Sequence, residues 1–298
     1  MTAYLLAISV TAGIYALMAL GVNLTWGLAG MINLGLAGFF AVGAYTTALL
    51  TKSGWPIPLG VAAAGVTAAA TGALVAWVTA RLRSDYLAIV TLGFSESVRI
   101  AAANEIWLTN GSDGIAGIPG PWRGSVSPLV FQARFLGIVL AVLAVAFVLA
   151  QRLSRAPFGR VLRAIRDDED VAGVAGKYVL SFKLRAFALG AAVLGVAGAL
   201  YAHDTSYVAP DIFAPLLTLN VILALVAGGL GNNAGAVLGA ALIVALLEGT
   251  RFVAPLLVFL SPAQVAAVRE LLISALLLGM LRVLPGGLVP ERAGETVG

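Results

Sequence analysis

Apolar runs long enough to cross a lipid bilayer recur along this chain with short polar breaks between them. A spanning helix needs about 20 mainly apolar residues, and such runs lie near 3–22, 30–51, 57–80, 86–103, 133–151, 184–203, 214–230, 235–259 and 266–284. Each run is apolar on every face rather than at alternate positions, so the predicted elements are helices and not barrel strands. The breaks have turn chemistry: Lys52-Ser53-Gly54-Trp55-Pro56, the charged Arg81-Leu82-Arg83-Ser84-Asp85, and 204–215 with two prolines and two aspartates. The pattern predicts an all-α integral membrane protein. It is a polytopic bundle of about nine transmembrane helices, eight and ten being the neighbouring counts, in one domain covering 1–298; the run at 214–230 is the shortest.

Composition narrows the class. Of 298 residues, 60% are hydrophobic and 11% charged, at a mean hydropathy of +1.00, whereas soluble domains carry about 25% charged residues. An ordinary soluble domain is excluded. Disorder and nucleic-acid binding are disfavoured, because a net charge of +4 in such a chain reports membrane orientation. There is no Cys and one His, His203. Disulfides, Fe–S clusters, thiol nucleophiles and a His-rich metal site therefore fall away, hydrolytic chemistry is disfavoured, and no bound cofactor or metal is expected. Met1-Thr2-Ala3-Tyr4 has no basic stretch, so the first run reads as a retained span.

Segment 152–185 holds eight basic residues against four acids, which places it in the cytoplasm. Counting spans outward from it gives N-out/C-in. Arg81, Arg83 and the basic tail 282–292 then lie inside, and Lys52, 104–132, 204–213 and 260–265 outside. Trp55, Trp107 and Trp122 fall at the outer boundary, where amphipathic rings sit.

Within the cytoplasmic loop, Pro157 is placed as a first-turn residue. Phe158, Val161, Leu162 and Ile165 follow at helical spacing, with Arg160, Arg163 and Arg166 off that face. Asp167-Asp168-Glu169-Asp170 suits the N-terminus of a second short helix over 171–175, which Gly176 would stop. A basic amphipathic helix fits anionic lipid, while the acidic half fits a protein surface of mixed charge; both readings stand on the residues alone.

Inside the spans, Glu96/Arg99 and Glu248/Arg251 are i, i+3 pairs that can cancel charge between helices or mark a polar path. His203-Asp204 reads as a boundary pair. Gly27 to Gly35, with Asn33, and Gly228 to Gly235 form two Gly/Asn-rich segments, either tight turns or broken-helix elements. Gly235 and Gly239 have the GxxxG spacing of close helix packing. The outer segment 104–132 is long for a connection and rich in Gly and Pro, a plain loop or a docking surface.

Several segments, in order along nearly the whole chain, are similar to one family. They include Gly27-Leu28-Ala29-Gly30 through Gly43-Ala44-Tyr45-Thr46, the run from Leu82 through Asp85-Tyr86 to Thr91-Leu92-Gly93-Phe94, and Thr109 to Ile115 with Gly117-Ile118-Pro119. Arg160 to Glu169, Ala199-Leu200-Tyr201-Ala202-His203 with Pro210-Asp211, Gly228-Gly229-Leu230-Gly231 and Pro285-Gly286-Gly287-Leu288 complete the likeness. The chain resembles the membrane permeases of branched-chain amino-acid ABC importers, of the LivM type.

The resemblance implies a transport subunit rather than an enzyme, in a bacterial inner membrane. Its expected partners are a second homologous permease subunit, two cytoplasmic ABC ATPases that hold the ATP and Mg, an extracytoplasmic solute-binding protein and membrane lipid. It makes 152–185 a coupling loop, with Arg160, Arg163, Ala164, Arg166, Asp167, Asp168, Glu169 and Gly176 as ATPase-coupling residues. Asn33, Glu96, Arg99, Glu248 and Arg251 are candidates for the translocation path or for buried ion pairs, and Asp113 and Asp211 for binding-protein docking.

Two positions depart from the family pattern. Gly173 stands where a Glu is frequent, and Leu36 where a Gln or His is frequent, which fits either an aliphatic path or a packed position. The alternatives to a branched-chain or other apolar amino acid are urea, a short amide or another amino acid, an autonomous ion-coupled carrier, and a non-transporting scaffold. No Walker-type segment occurs in the sequence.

Overall fold

The computed structural model describes residues 2–80, 82, 84–253 and 262–291. Among these residues the protein is all-α apart from one two-residue strand pair. Its helices are α1 (Thr2–Val22), α2 (Leu36–Lys52), α3 (Ile57–Val78), α4 (Ser84–Asn104), α5 (Ile106–Thr109) and α6 (Pro128–Arg155). They continue with α7 (Pro157–Asp167), α8 (Glu169–Val174), α9 (Val179–Thr205), α10 (Pro215–Gly228), α11 (Asn233–Val253) and α12 (Pro262–Val283). Among the described residues, five helices are long and apolar enough to cross a membrane, and α10 and α11 add shorter apolar stretches.

Two helices organise the bundle. α1 packs against α6, α9, α10 and α11, while α9 packs against α1, α2 and α3. Small residues permit this: Gly43 on α2 meets Gly195 on α9, and Gly198 on α9 lies against the Phe40 carbonyl. The expected GxxxG contact is present too, with Gly235 and Gly239 of α11 against Gly228 of α10, leaving no room for a Cβ. α4 stands at the rim, its main long-helix partner being α2.

Several expected boundaries shift. The run at 30–51 becomes helical only at Leu36. α1 instead runs on as a π-turn over Asn23–Gly27, followed by an irregular stretch in which the Leu34 N–H donates to Thr91 Oγ1 (3.0 Å) and the Gly35 N–H to Asn33 Oδ1 (2.9 Å). These side chains satisfy backbone groups that a helix would have paired internally, which is how a break survives inside a membrane. Leu36 is fully buried, so of its two readings the packed one is observed. α11 ends at Val253, and 254–260, Arg81, Arg83 and Arg292 lie outside the described residues.

α10 has 14 residues, about 21 Å at the helical rise, short of a hydrocarbon core of about 30 Å. The residues before it drop into the bundle. Phe213, at the end of the 3₁₀ turn Pro210–Phe213, is buried with its ring 5.8 Å from Phe40 and 5.7 Å from Tyr45.

Candidate functional site

The predicted amphipathic helix is α7, opened by Pro157 in its first turn after an extended Ala156. Its apolar face is covered by the chain itself. Leu162 and Ile165 are 0% and 3% exposed, α7 packs on α6 and α9, and Phe158 stacks on Phe182 with centroids 5.4 Å apart. The lipid-surface reading required that face to be free, and it is not. Asp168 caps α8 by accepting from the Val171 N–H at 3.0 Å. α8 therefore starts at Glu169 and ends at Val174, ahead of the expected 171–175. Gly176 follows at φ +77°, the left-handed conformation of a helix stop.

The outward surface of this pair carries Arg160, Ala164, Asp167, Asp168 and Glu169, together with Val171, Tyr178 and the 92%-exposed Val174. Arg163 and Arg166 do not share it. Arg163 donates to the Ser154 carbonyl at 3.1 Å. Arg166 Nη1 donates to the Gly27 carbonyl at 2.6 Å and to Glu291 Oε2 at 2.8 Å, and its Nε to Asp167 Oδ1 at 3.4 Å. Helical spacing put the three arginines off the apolar face, but the end of α6 claims Arg163, and the Gly27 turn and Glu291 claim Arg166.

Arg166 thereby joins three parts of the chain, α7, the Gly27 turn and segment 284–291. Asn23, buried in the π-turn, donates to Asn233 Oδ1 and accepts from the Gly231 N–H, both at 2.9 Å. The two Gly/Asn-rich segments meet at Gly27, where a Cβ would stand 2.7 Å from the Gly231 nitrogen; the second is a tight turn and the first a broken helix end. Segment 284–291 lies across the end of α10, with Leu288 and Val289 N–H donating to the carbonyls of Ala227 and Gly228, both at 2.9 Å. Gly30 has φ +69°, and a Cβ there would stand 2.7 Å from Arg166 Cγ. Beside this clasp opens a cavity of about 1010 Å³ lined by Gln151, Arg155, Arg163, Arg166, Asn232 and Glu291.

The opposite end is ordered by His203, which is buried. Its ring nitrogens lie 2.9 Å from Thr47 Oγ1 and 2.7 Å from the Pro119 carbonyl, tying α9 to α2 and to segment 104–132. That segment is more than a plain loop. Ile115–Ala116 pairs antiparallel with Tyr207–Val208, Lys52 donates to the Ala116 carbonyl at 3.0 Å, and Arg123 donates to the carbonyls of His203 and Asp204. Asp113 is exposed beside a pocket of about 540 Å³ that Lys52, Trp107 and Asn110 also line. Asp211 is exposed in the 3₁₀ turn that packs on α4 and α2.

Of the intramembrane pairs, Glu96 and Arg99 meet in a two-pronged contact, Nε to Oε2 at 2.9 Å and Nη2 to Oε1 at 2.5 Å. Glu248 accepts from the Tyr4 hydroxyl at 2.7 Å, linking α11 to α1; the Arg251 side chain lies outside the described residues. Asn33 is fully buried, and its Nδ2 has no partner among the described residues.

The model of the family described as branched-chain amino acid transport system / permease component matches residues 4–281. The chain belongs to that family. It is 37% identical over 264 residues to the high-affinity branched-chain amino acid transport system permease protein LivM of Salmonella typhimurium, covering 79% of this chain and 61% of that protein. The chain thus spans about three fifths of the length of that relative. It is 28% identical to LivH of Escherichia coli over 95% of this chain and 93% of LivH. A third relative, the autoinducer 2 import system permease protein LsrC of Escherichia coli, is 26% identical over 78% of this chain and 66% of LsrC. No solved structure matches. A permease of this family with apolar helices of spanning length is a multi-pass membrane protein.

Proposed function

We propose that this permease is the transmembrane subunit of an ABC importer carrying branched-chain or other apolar amino acids across a bacterial inner membrane. In this reading it crosses the bilayer nine times, N-out/C-in, with the α7 end in the cytoplasm. It pairs with a second homologous permease, as the likeness to both LivM and LivH supports. Two ATPases bearing ATP and Mg drive it, and an extracytoplasmic binding protein delivers substrate near Asp113 and Asp211.

The observation that carries the reading is the α7–α8 unit. Its apolar side is used up in holding it to α6 and α9, so Arg160, Ala164, Asp168, Val171 and Val174 are left as a rigid, mixed-charge outer surface. That is what docking into a protein cleft needs. Arg166 would then pass motion of α7 to the Gly27 turn and to segment 284–291, alternating access between the two faces.

Co-purification of the tagged chain from its native membrane, followed by uptake of leucine, isoleucine and valine into proteoliposomes, tests this. Two ATPases, a second permease and ATP-dependent uptake are expected. Recovery of the chain alone, with uptake surviving ATP depletion, would replace the importer by an ion-coupled carrier. The LsrC likeness favours one alternative within the family, a different small polar solute, and the same assay with urea or short amides separates it.

A further inference from the structure

A charged pair stands halfway along α4, beside a helix face that no other described residue covers. Glu96 and Arg99 lie on α4, whose 86–104 stretch is apolar enough to cross a membrane. Glu96 is twelve residues from one end of α4 and eight from the other, about 18 and 12 Å at the helical rise. Its side chain is 35% exposed and that of Arg99 28%.

The neighbouring stripe Ile89, Gly93, Ser97 and Ile100 is uncovered. Gly93 has nothing within 4 Å of where a Cβ would be, and the Ser97 hydroxyl bonds back to the Gly93 carbonyl at 2.8 Å. Charges about one third exposed at that depth are not stable against hydrocarbon, so this face borders water or polar partners. The stripe is itself amphipathic in cross-section, with a small polar centre between Ile89 and Ile100 and the ion pair alongside.

We propose that this face of α4 contacts the substrate in transit, with Arg99 receiving the carboxylate and Glu96 the ammonium of a zwitterionic amino acid whose apolar side chain lies along Ile89 and Ile100. The inference rests on the importer reading and adds the site at which the solute's two charges are recognised. Arg99 commits Nε and Nη2 to Glu96, and its Nη1 has no protein partner among the described residues. A ligand carrying both charges joins such a pair without leaving either partner uncompensated, whereas a ligand of one charge does not. Asp211 lies in the turn packed on α4, at the end of the bundle that holds His203.

The chain has no Cys, so single cysteines can be introduced into the natural sequence. In the assembled complex, Ser97→Cys and Gly93→Cys are expected to react with a charged, membrane-impermeant thiol reagent, while Leu74→Cys on the exposed face of α3 is not. Leucine is expected to slow labelling at Ser97→Cys, and isopentylamine or 4-methylpentanoate, each with one of its charges, is not. The neutral pair Glu96→Gln/Arg99→Gln is expected to lower leucine uptake about tenfold or more, the loss of one charged hydrogen bond, with the ATPases still bound.

Absence of labelling at both stripe positions, labelling that leucine leaves unchanged, or normal uptake by the neutral pair would each overturn the site. Normal uptake would mean that the pair only cancels its own charge. Because the labelling assay keeps Glu96 and Arg99 in place, it decides the matter even where the neutral pair fails to assemble. Failure of the unmodified complex to take up leucine with ATP would instead remove the importer reading.

Discussion

At the scale of single residues, charge and hydrogen bonding matter more here than in a soluble protein, because unpaired groups have no water to fall back on. His203 is the clearest case. Its partners, Thr47 and Pro119, are 156 and 84 residues away in the chain, so sequence spacing placed it only at a span boundary and gave no sign of its burial. Replacing it with Ala leaves a void and two polar atoms without a partner. The expected cost is about 2–4 kcal/mol, seen as a lower unfolding temperature in detergent and faster proteolysis within 104–132, and an unchanged unfolding temperature would contradict the joint. Glu96 and Arg99 were legible as an ion pair because i, i+3 partners share one turn. That their face is uncovered was not legible, since exposure depends on which helices pack on α4.

At the scale of elements, the α7–α8 unit shows how far local rules reach. Pro157, the apolar spacing through Ile165 and the stop at Gly176 mark a helix, a cap and a turn, each a contact between near neighbours in sequence. Local rules fail on the arginines, because Arg163 and Arg166 are claimed by backbone carbonyls and by Glu291, 125 residues distant. This changes which substitution tests coupling. Reversing charge at Arg163 and Arg166 would disturb the fold as well as any docking. Arg160→Glu, on the outward surface, is expected to weaken ATPase binding and uptake while shifting stability by no more than about 0.5 kcal/mol. Arg166→Ala is expected to reduce stability by about 1–3 kcal/mol, the range for a buried charged hydrogen bond. A differential melt and an ATPase pull-down of the two variants distinguish these outcomes, and a stable Arg166→Ala complex would show that the clasp does not hold the coupling unit.

At the scale of the whole molecule, orientation is the property most open to a direct check. With no native Cys, Lys52→Cys is expected to label from outside intact cells, and Arg160→Cys only after permeabilisation; the reverse pattern would invert the bundle. The sequence by itself determined that this is a helical membrane protein and which loop carries the basic surplus, because these follow from the length of apolar runs against bilayer thickness and from charge counted loop by loop. Only the tertiary structure decided the rest. It showed that α1 and α9 form the centre, that Asn23 ties the Gly231 turn to the end of α1, that Phe213 drops into the bundle, and that α4 has a stripe uncovered by any described residue beside Glu96 and Arg99. Apart from a few ionisable positions such as Glu96, Arg99 and Glu248, the spans are apolar all round and rich in small residues, so hydropathy does not tell one neighbour from another. Partners are chosen by close backbone approach and by a few long-range polar bonds, and neither leaves a periodic mark in the chain.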